Sequence, residues 1–321
     1  MYQNSDSVLL ASESCVIIHV MSIFKLKPAC KDYLWGGERL KKEYGIEYAG
    51  EPLAEAWVLS CHPDGLSVIE NGEYAGTTLK EYLEKNEKIR EFPVLIKLID
   101  AKRDLSIQVH PDNEYAMSHE GQKGKTEMWY VLDAAPGAFI YYGFKKEISK
   151  DEFDKRIREN TLLEVLNKVY VNKGDTYFIR PGTLHAIGAG CLIAEVQQNS
   201  NVTYRICDYD RVGADGKKRE LHIDKALDVT NRRPPKPYTA DGDHLVSCEY
   251  FTTGLLRLEE GKIQKITGID DSFRHLLIIS GSCTVTDGKD TLSLNKGDSV
   301  ILTAGTGEVN ISGNAEILET G

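Results

Sequence analysis

The sequence predicts a mainly β protein of two antiparallel jelly-roll barrels with a few helices inserted. Three features predict it: a turn, strand and turn unit that occurs twice, short strands in which apolar and polar residues alternate, and a proline cluster between the two copies. Lys173-Gly174-Asp175-Thr176-Tyr177-Phe178-Ile179-Arg180-Pro181-Gly182-Thr183-Leu184-His185 aligns without a gap on Lys296-Gly297-Asp298-Ser299-Val300-Ile301-Leu302-Thr303-Ala304-Gly305-Thr306-Gly307-Glu308. Upstream, Met128-Trp129-Tyr130-Val131-Leu132 has its counterpart in His275-Leu276-Leu277-Ile278-Ile279, with the helical insertion absent from the second copy. Leu221 to Val229 reads as a helix, and Pro234, Pro235 and Pro237 read as a linker, because proline cannot donate to a sheet ladder. The chain then divides into an N-terminal extension (1–20), expected to be disordered, a first barrel domain with helical insertions (21–235) and a second barrel domain (236–321).

Taken in order, Phe24 to Leu26 reads as a strand, Tyr33-Leu34-Trp35-Gly36-Gly37 as a turn, and Ala54 to Ser60 as a half-buried strand in which Glu55 and Trp57 alternate with apolar neighbours. Thr78 with Glu81 has the spacing of a capping box, and Leu79, Tyr82 and Leu83 give the helix behind it an apolar stripe. Val94-Leu95-Ile96-Lys97-Leu98-Ile99 is nearly continuously apolar and reads as a buried strand. Ser149 with Glu152 starts a second helix bearing Phe153 and Ile157, and Thr161 with Glu164 a short third one.

A chain of 321 residues, 41% hydrophobic, can build two cores, and its formal net charge of -10 argues against nucleic acid or an anionic membrane as partner. Seven cysteines without a CxxC pair leave no closed disulfide framework, which fits a reduced, cytoplasmic setting. No apolar run is long enough to span a membrane, and Val16 to Met21 lacks the flanks of a signal peptide.

The chemistry concentrates between Leu105 and His185. Side chains two apart in a strand share a face, so Gln108 and His110 point together, as do Lys125, Glu127 and Trp129. Two imidazoles and a carboxylate are a usual ligand set for zinc, with a glutamine amide as a weak extra contact, which makes Gln108, His110, Glu127 and His185 the candidate ligands. The ordinary alternative for any one of these histidines is a hydrogen-bonded core residue; their convergence on strands that a barrel brings together favours the metal. The second copy has Glu308 where His185 stands and no Gln-x-His pair, so it is expected to hold no metal. His19, His62, His119, His222, His244 and His275 read as structural or surface residues, and Glu55 and Trp57 as cavity-lining or simply packed. Lys125 and Arg205 are basic residues aimed into a barrel of an acidic protein; they suit a phosphate or a developing oxyanion, or else pair with structural carboxylates, as Arg205 could with Glu195.

Tyr33-Leu34-Trp35-Gly36, Gly65 through Glu70, Ser106-Ile107-Gln108-Val109-His110-Pro111, Lys125-Thr126-Glu127-Met128-Trp129-Tyr130 and Pro181-Gly182-Thr183-Leu184-His185-Ala186 closely resemble type I mannose-6-phosphate isomerases in their short bacterial form. The resemblance covers Met21 to Gly321 and leaves Met1 to Val20 without a counterpart. It implies a cupin-superfamily enzyme with one Zn2+ per chain that interconverts mannose 6-phosphate and fructose 6-phosphate through a cis-enediol. By motif, the zinc ligands become Gln108, His110, Glu127 and His185, with Gln108 the distant or absent one, and Arg205, Lys125 and Glu195 become the catalytic residues. The proton-transfer base implied is Glu195 or a metal-bound water. A hexose 6-phosphate is the expected partner, and the protein is expected to be a monomer or weak homodimer. The competing readings are a metal cupin oxygenase, which needs a redox metal, and a non-catalytic sugar-binding bicupin.

Overall fold

The computed structural model describes residues 23–87, 89–213, 216–269 and 271–321, and the expected extension over 1–20 lies outside the described residues. The protein is mainly β, as expected, and its strands form three large sheets. A six-stranded sheet runs in the order Thr176–Ile179, Glu127–Ala134, Cys191–Gln198, Val94–Asp100, Glu55–Leu59, Ala29–Lys31. A five-stranded sheet runs Leu166–Tyr170, Phe139–Phe144, His185–Ile187, Ile107–Val109, Tyr204–Cys207. The nine-stranded sheet gathers the strands after His244, and it also takes Ile23–Lys27 and Val68–Ile69 from the start of the chain. Ile23–Lys27 lies antiparallel to Ser299–Leu302, with Phe24 opposite Ile301.

The six-stranded sheet is buried on both faces, which accounts for the apolar run Val94 to Ile99. Val94, Ile96 and Leu98 share a cluster with Met128, Tyr130, Ala194 and Val196, and that cluster continues into Leu277, Ile279, Ile301 and Leu318 of the nine-stranded sheet. Fully buried side chains of this size contribute about 1.5–3 kcal/mol each, so the apolar layer between the sheets holds the two halves together. The opposite face carries Ile99, Trp129, Val131 and Ile193, which pack with Ile140 and Ile187 of the five-stranded sheet. Lys97 lies on that face, and the functional site is built there.

The helices follow their local signals. Thr78 and Glu81 form the reciprocal capping box ahead of Leu79–Tyr82, which continues as a π-turn over Leu83–Glu87. Ser149 caps Lys150–Arg158 by accepting from the Glu152 N–H at 3.0 Å, and Phe153 of that helix is buried. Thr161 precedes a single 3-10 turn, Leu162–Glu164, and its side chain makes no capping bond. Leu221 to Val229 contains the helix Ile223–Val229. Asn113–Glu120 was not anticipated. Its cap is Asp112, which accepts from the Tyr115 N–H at 2.9 Å, but Ala116 is its one buried residue, too little for a 3.6-residue apolar period to register.

Candidate metal centre and its cavity

Two rows of side chains, one on each sheet, face each other across the site. On the five-stranded sheet His185 lies opposite Gln108, and Gln108 opposite Arg205. On the six-stranded sheet Trp57 lies opposite Lys97, Lys97 opposite Glu195, and Glu195 opposite Trp129. Glu127 is two residues before Trp129 on the same face. His185 enters from the turn Arg180-Pro181-Gly182-Thr183. Gly182 sits at φ 79°, and a Cβ there would meet the Val229 carbonyl at 2.8 Å, so the turn needs glycine.

Among the described residues, His110, Glu127 and His185 bring their ligand atoms within 4.8 Å of one another, and all three are buried. His110 Nδ1 lies 2.8 Å from the Val202 carbonyl and His185 Nδ1 lies 2.8 Å from the Thr183 carbonyl. A carbonyl oxygen only accepts, so each Nδ1 carries the hydrogen and each Nε2 presents a lone pair. Those lone pairs face the Glu127 carboxylate at 3.6 Å from His110 and 3.3 Å from His185. Burial lowers both imidazoles, His185 to about 4 and His110 well below its ordinary value, so neither supplies a proton to the gap near neutrality. His110 Nε2 and Glu127 Oε1 have no hydrogen-bond partner among the described residues. Two imidazole lone pairs that converge on a carboxylate fit a cation, and the backbone carbonyls behind the imidazoles fix their orientation as metal ligands require. The side-chain amide of Gln108 lies 3.4 Å from His185 Nε2, beside the three.

A buried ion network adjoins the ligands. Lys125 Nζ lies 2.7 Å from Glu127 and 3.4 Å from Glu195, and Lys97 Nζ lies 3.4 Å from Glu195 and 3.6 Å from Glu55. Trp129 Nε1 donates to Glu195 at 2.9 Å, and Trp57 Nε1 donates to Glu55 at 2.7 Å. Burial works against the Glu195 carboxylate, but Lys125, Lys97 and the Trp129 donor outweigh it and hold it down at about 2. Burial and repulsion from Glu195 push the Glu127 carboxyl up to about 7, which a cation between the imidazoles would reverse. Burial opposes the charge on Lys97, and Glu55 and Glu195 restore it and raise its pKa.

The network opens into a cavity of about 290 Å³, lined in part by Glu55, Lys97, Gln108, Lys125, Glu195 and Arg205. Every residue singled out as catalytic in the sequence therefore reaches it. Arg205 does not pair with Glu195: its Nη1 donates to the Glu220 carbonyl at 3.1 Å, and its Nε is buried without a partner among the described residues. Lys97, Arg219 and His222 also line the cavity, and sequence reasoning missed all three. A lone lysine inside an apolar strand was the available signal for Lys97. His222, assigned to structure or surface, accepts the Arg205 backbone N–H at 3.3 Å, a contact that no spacing in the sequence marks. His275 is buried and bonds Ser299 Oγ at 2.8 Å, in keeping with a structural part.

Comparison with known proteins identifies the family. The family model for Phosphomannose isomerase type I, catalytic domain, matches residues 23–134, and that for Mannose-6-phosphate isomerase, cupin domain, matches residues 242–320. A mannose-6-phosphate isomerase of Streptococcus mutans is 38% identical over 89% of this chain and 93% of its own length. The mannose-6-phosphate isomerase ManA of Bacillus subtilis is 37% identical over 91% of this chain and 96% of its own. The crystal structure of the mannose 6-phosphate isomerase from Bacillus subtilis superposes with a TM-score of 0.88 at 35% identity, covering 94% of this chain and 99% of that one. With both halves matched and identity sustained along almost the whole length of these proteins, the chain belongs to the type I mannose-6-phosphate isomerase family.

Proposed function

We propose that the protein is a zinc-dependent isomerase that interconverts mannose 6-phosphate and fructose 6-phosphate through a cis-enediol. The observation that supports this most directly is the convergence of two imidazole lone pairs and a carboxylate beside a buried lysine and glutamate network in one cavity. His110, Glu127 and His185 would hold the ion, with Gln108 as a weak fourth neighbour. Residues 21–235 are read as the catalytic cupin-type jelly roll and 236–321 as a metal-free one. When bound, zinc supplies Lewis-acid polarisation of a sugar oxygen.

The chain's own residues account for the proton. An aldose–ketose shift moves one proton between neighbouring carbons, C2 and C1, and a second between their oxygens, O2 and O1, and needs a base that can return the first. Glu195 is the ionised carboxylate in the cavity, with Trp129 fixing one oxygen and Lys125 near the other. Held at about 2, it is a weak base while Lys125 attends it. As Lys125 turns toward the sugar oxygen on which negative charge develops, Glu195 loses a stabilising cation and its proton affinity rises, which couples the two transfers. Arg205 offers its Nε–H, which has no partner among the described residues, to an anion in the same cavity.

The test is fructose 6-phosphate formation from mannose 6-phosphate, measured by a coupled assay without oxygen, before and after chelation. Loss of turnover on chelation, recovery with zinc, and about one zinc per chain by metal analysis are expected. Full turnover by metal-free protein would overturn the reading.

A further inference from the structure

The cavity holds more positive charge than its carboxylates answer, and the surplus sits on two arginines. Its anions, Glu55 and Glu195, are already taken by Lys97 and Lys125. Arg205 meets a backbone carbonyl and, among the described residues, no carboxylate within hydrogen-bond reach. Arg219, which also lines the cavity, gives its Nε to Asp208 Oδ2 at 2.8 Å, and Arg211 binds the same carboxylate. One buried aspartate against two guanidinium groups leaves a net positive cluster, and the cavity-facing member is Arg219. Burial and the charge of Arg219 both lower the proton affinity of Arg205, so the two arginines stand close enough to repel. In a protein of net charge -10, three guanidinium groups, Arg205, Arg211 and Arg219, set against the single carboxylate of Asp208 leave a surplus of positive charge at one cavity wall that calls for an anion of high charge.

We propose that Arg219 is a substrate-binding residue that holds the phosphoryl group of the sugar phosphate together with Arg205, and so selects phosphorylated over unphosphorylated substrate. This rests on the isomerase reading above. Asp208 occupies the Nε and Nη2 edge of Arg219 and fixes the plane of the guanidinium, which leaves the other edge for phosphate oxygens. His222 steadies the second arginine through its backbone N–H. The phosphate then anchors at the arginines, and the carbon end of the substrate is left to Lys125, Glu195 and the metal ligands.

Two measurements on the full chain decide it. Inorganic phosphate is titrated into wild type, Arg219→Ala and Arg219→Lys by calorimetry, and KM and kcat for mannose 6-phosphate are measured in parallel. Arg219→Ala should weaken phosphate binding at least about tenfold and raise KM by about 10- to 100-fold while kcat changes by less than about threefold, with Arg219→Lys in between. Should Arg219→Ala fold poorly, Arg219→Lys carries the test, because it keeps a charge beside Asp208 and loses the fork. Phosphate affinity within about twofold of wild type in both variants would overturn the assignment, as would a kcat loss with KM unchanged. Wild-type protein that binds phosphate through Arg219 but turns over no mannose 6-phosphate would overturn the isomerase reading and leave this one standing.

Discussion

Two strands show one backbone with two contents. Glu127–Ala134 pairs with Thr176–Ile179, Glu127 opposite Ile179 and Tyr130 opposite Thr176. Arg274–Thr286 pairs with Ser299–Leu302 in the equivalent register, Arg274 opposite Leu302 and Leu277 opposite Ser299. The preceding turns match as well: Gly174 and Gly297 stand at φ 93° and 97°, and the carboxylates of Asp175 and Asp298 accept from the backbone N–H of Asn172 and Asn295, each at 2.8 Å. On this shared frame, Glu127 and His185 of the first unit are replaced by Arg274 and Glu308. Arg274 pairs with Glu319, and Glu308 pairs with Lys265 at 2.7 Å on the surface. Trp129 donates its Nε1–H to Glu195 beside the cavity, whereas its counterpart Leu276 packs with Ile278 in an apolar core. The ladder and turns decide where each side chain points; a few substitutions decide whether that place is a metal centre or packing.

The comparison can be broken at four points, in falling order of effect. His185→Glu copies the second unit into the first and sets a second carboxylate against Glu127. Metal content should collapse and turnover fall by more than about 1000-fold, read by metal analysis and the isomerase assay; retained zinc would mean that the histidine does not separate the units. Lys97→Met makes the charged row resemble the apolar one, but it leaves Glu55 and Glu195 buried against one fewer cation. A loss of about 3–5 kcal/mol in urea unfolding is expected, and a loss below about 1 kcal/mol would show the network to be dispensable for stability.

His275 stands where the first unit has Met128, and burial holds its imidazole down at about 3. An unfolded histidine titrates near 6.5 or so, about where the unfolded chain starts to bind a proton that the fold excludes. The stability present above about pH 6.5 is therefore lost as pH falls toward 3, at up to about 1.4 kcal/mol per pH unit. His275→Met should remove that slope; parallel stability curves against pH for the two proteins would refute it. The smallest effect compares the turns. Gly174→Ala should cost about 1–2 kcal/mol for backbone strain alone, because nothing lies within 4 Å of the added Cβ. Gly297→Ala should cost more, since its Cβ would meet the Tyr44 carbonyl at 2.0 Å. Equal melting temperatures for the two variants would argue that the second turn yields freely.

The repeat was legible because it is local: Lys-Gly-Asp, a β-branched run and Gly-Thr carry their geometry in sequence neighbours. Part of the candidate site was legible for a related reason, since Gln108 with His110 and Lys125 with Glu127 are two-residue pairs whose common face follows from strand geometry. Lys97 was not, because its meaning lies in the cross-strand row with Glu195 and Trp57, which sequence spacing does not encode. Arg219 and His222 come to the cavity from the segment between the strand Tyr204–Cys207 and the helix Ile223–Val229, and no periodicity marks them. The placement of Ile23–Lys27 beside Ser299–Leu302 joins opposite ends of the described chain and left no local trace either.

That pairing has a consequence for how the protein is made. Ile23–Lys27 precedes the other described strands in the chain, yet its ladder partner, Ser299–Leu302, follows most of them. That ladder therefore cannot form until Ser299–Leu302 has been made, and Phe24 and Leu26 must wait for Ile301 and Ser299 to arrive. Folding of this sheet thus needs a late, long-range closure, and the interval before it is when the newborn chain is most open to pairing with a neighbour instead of with itself.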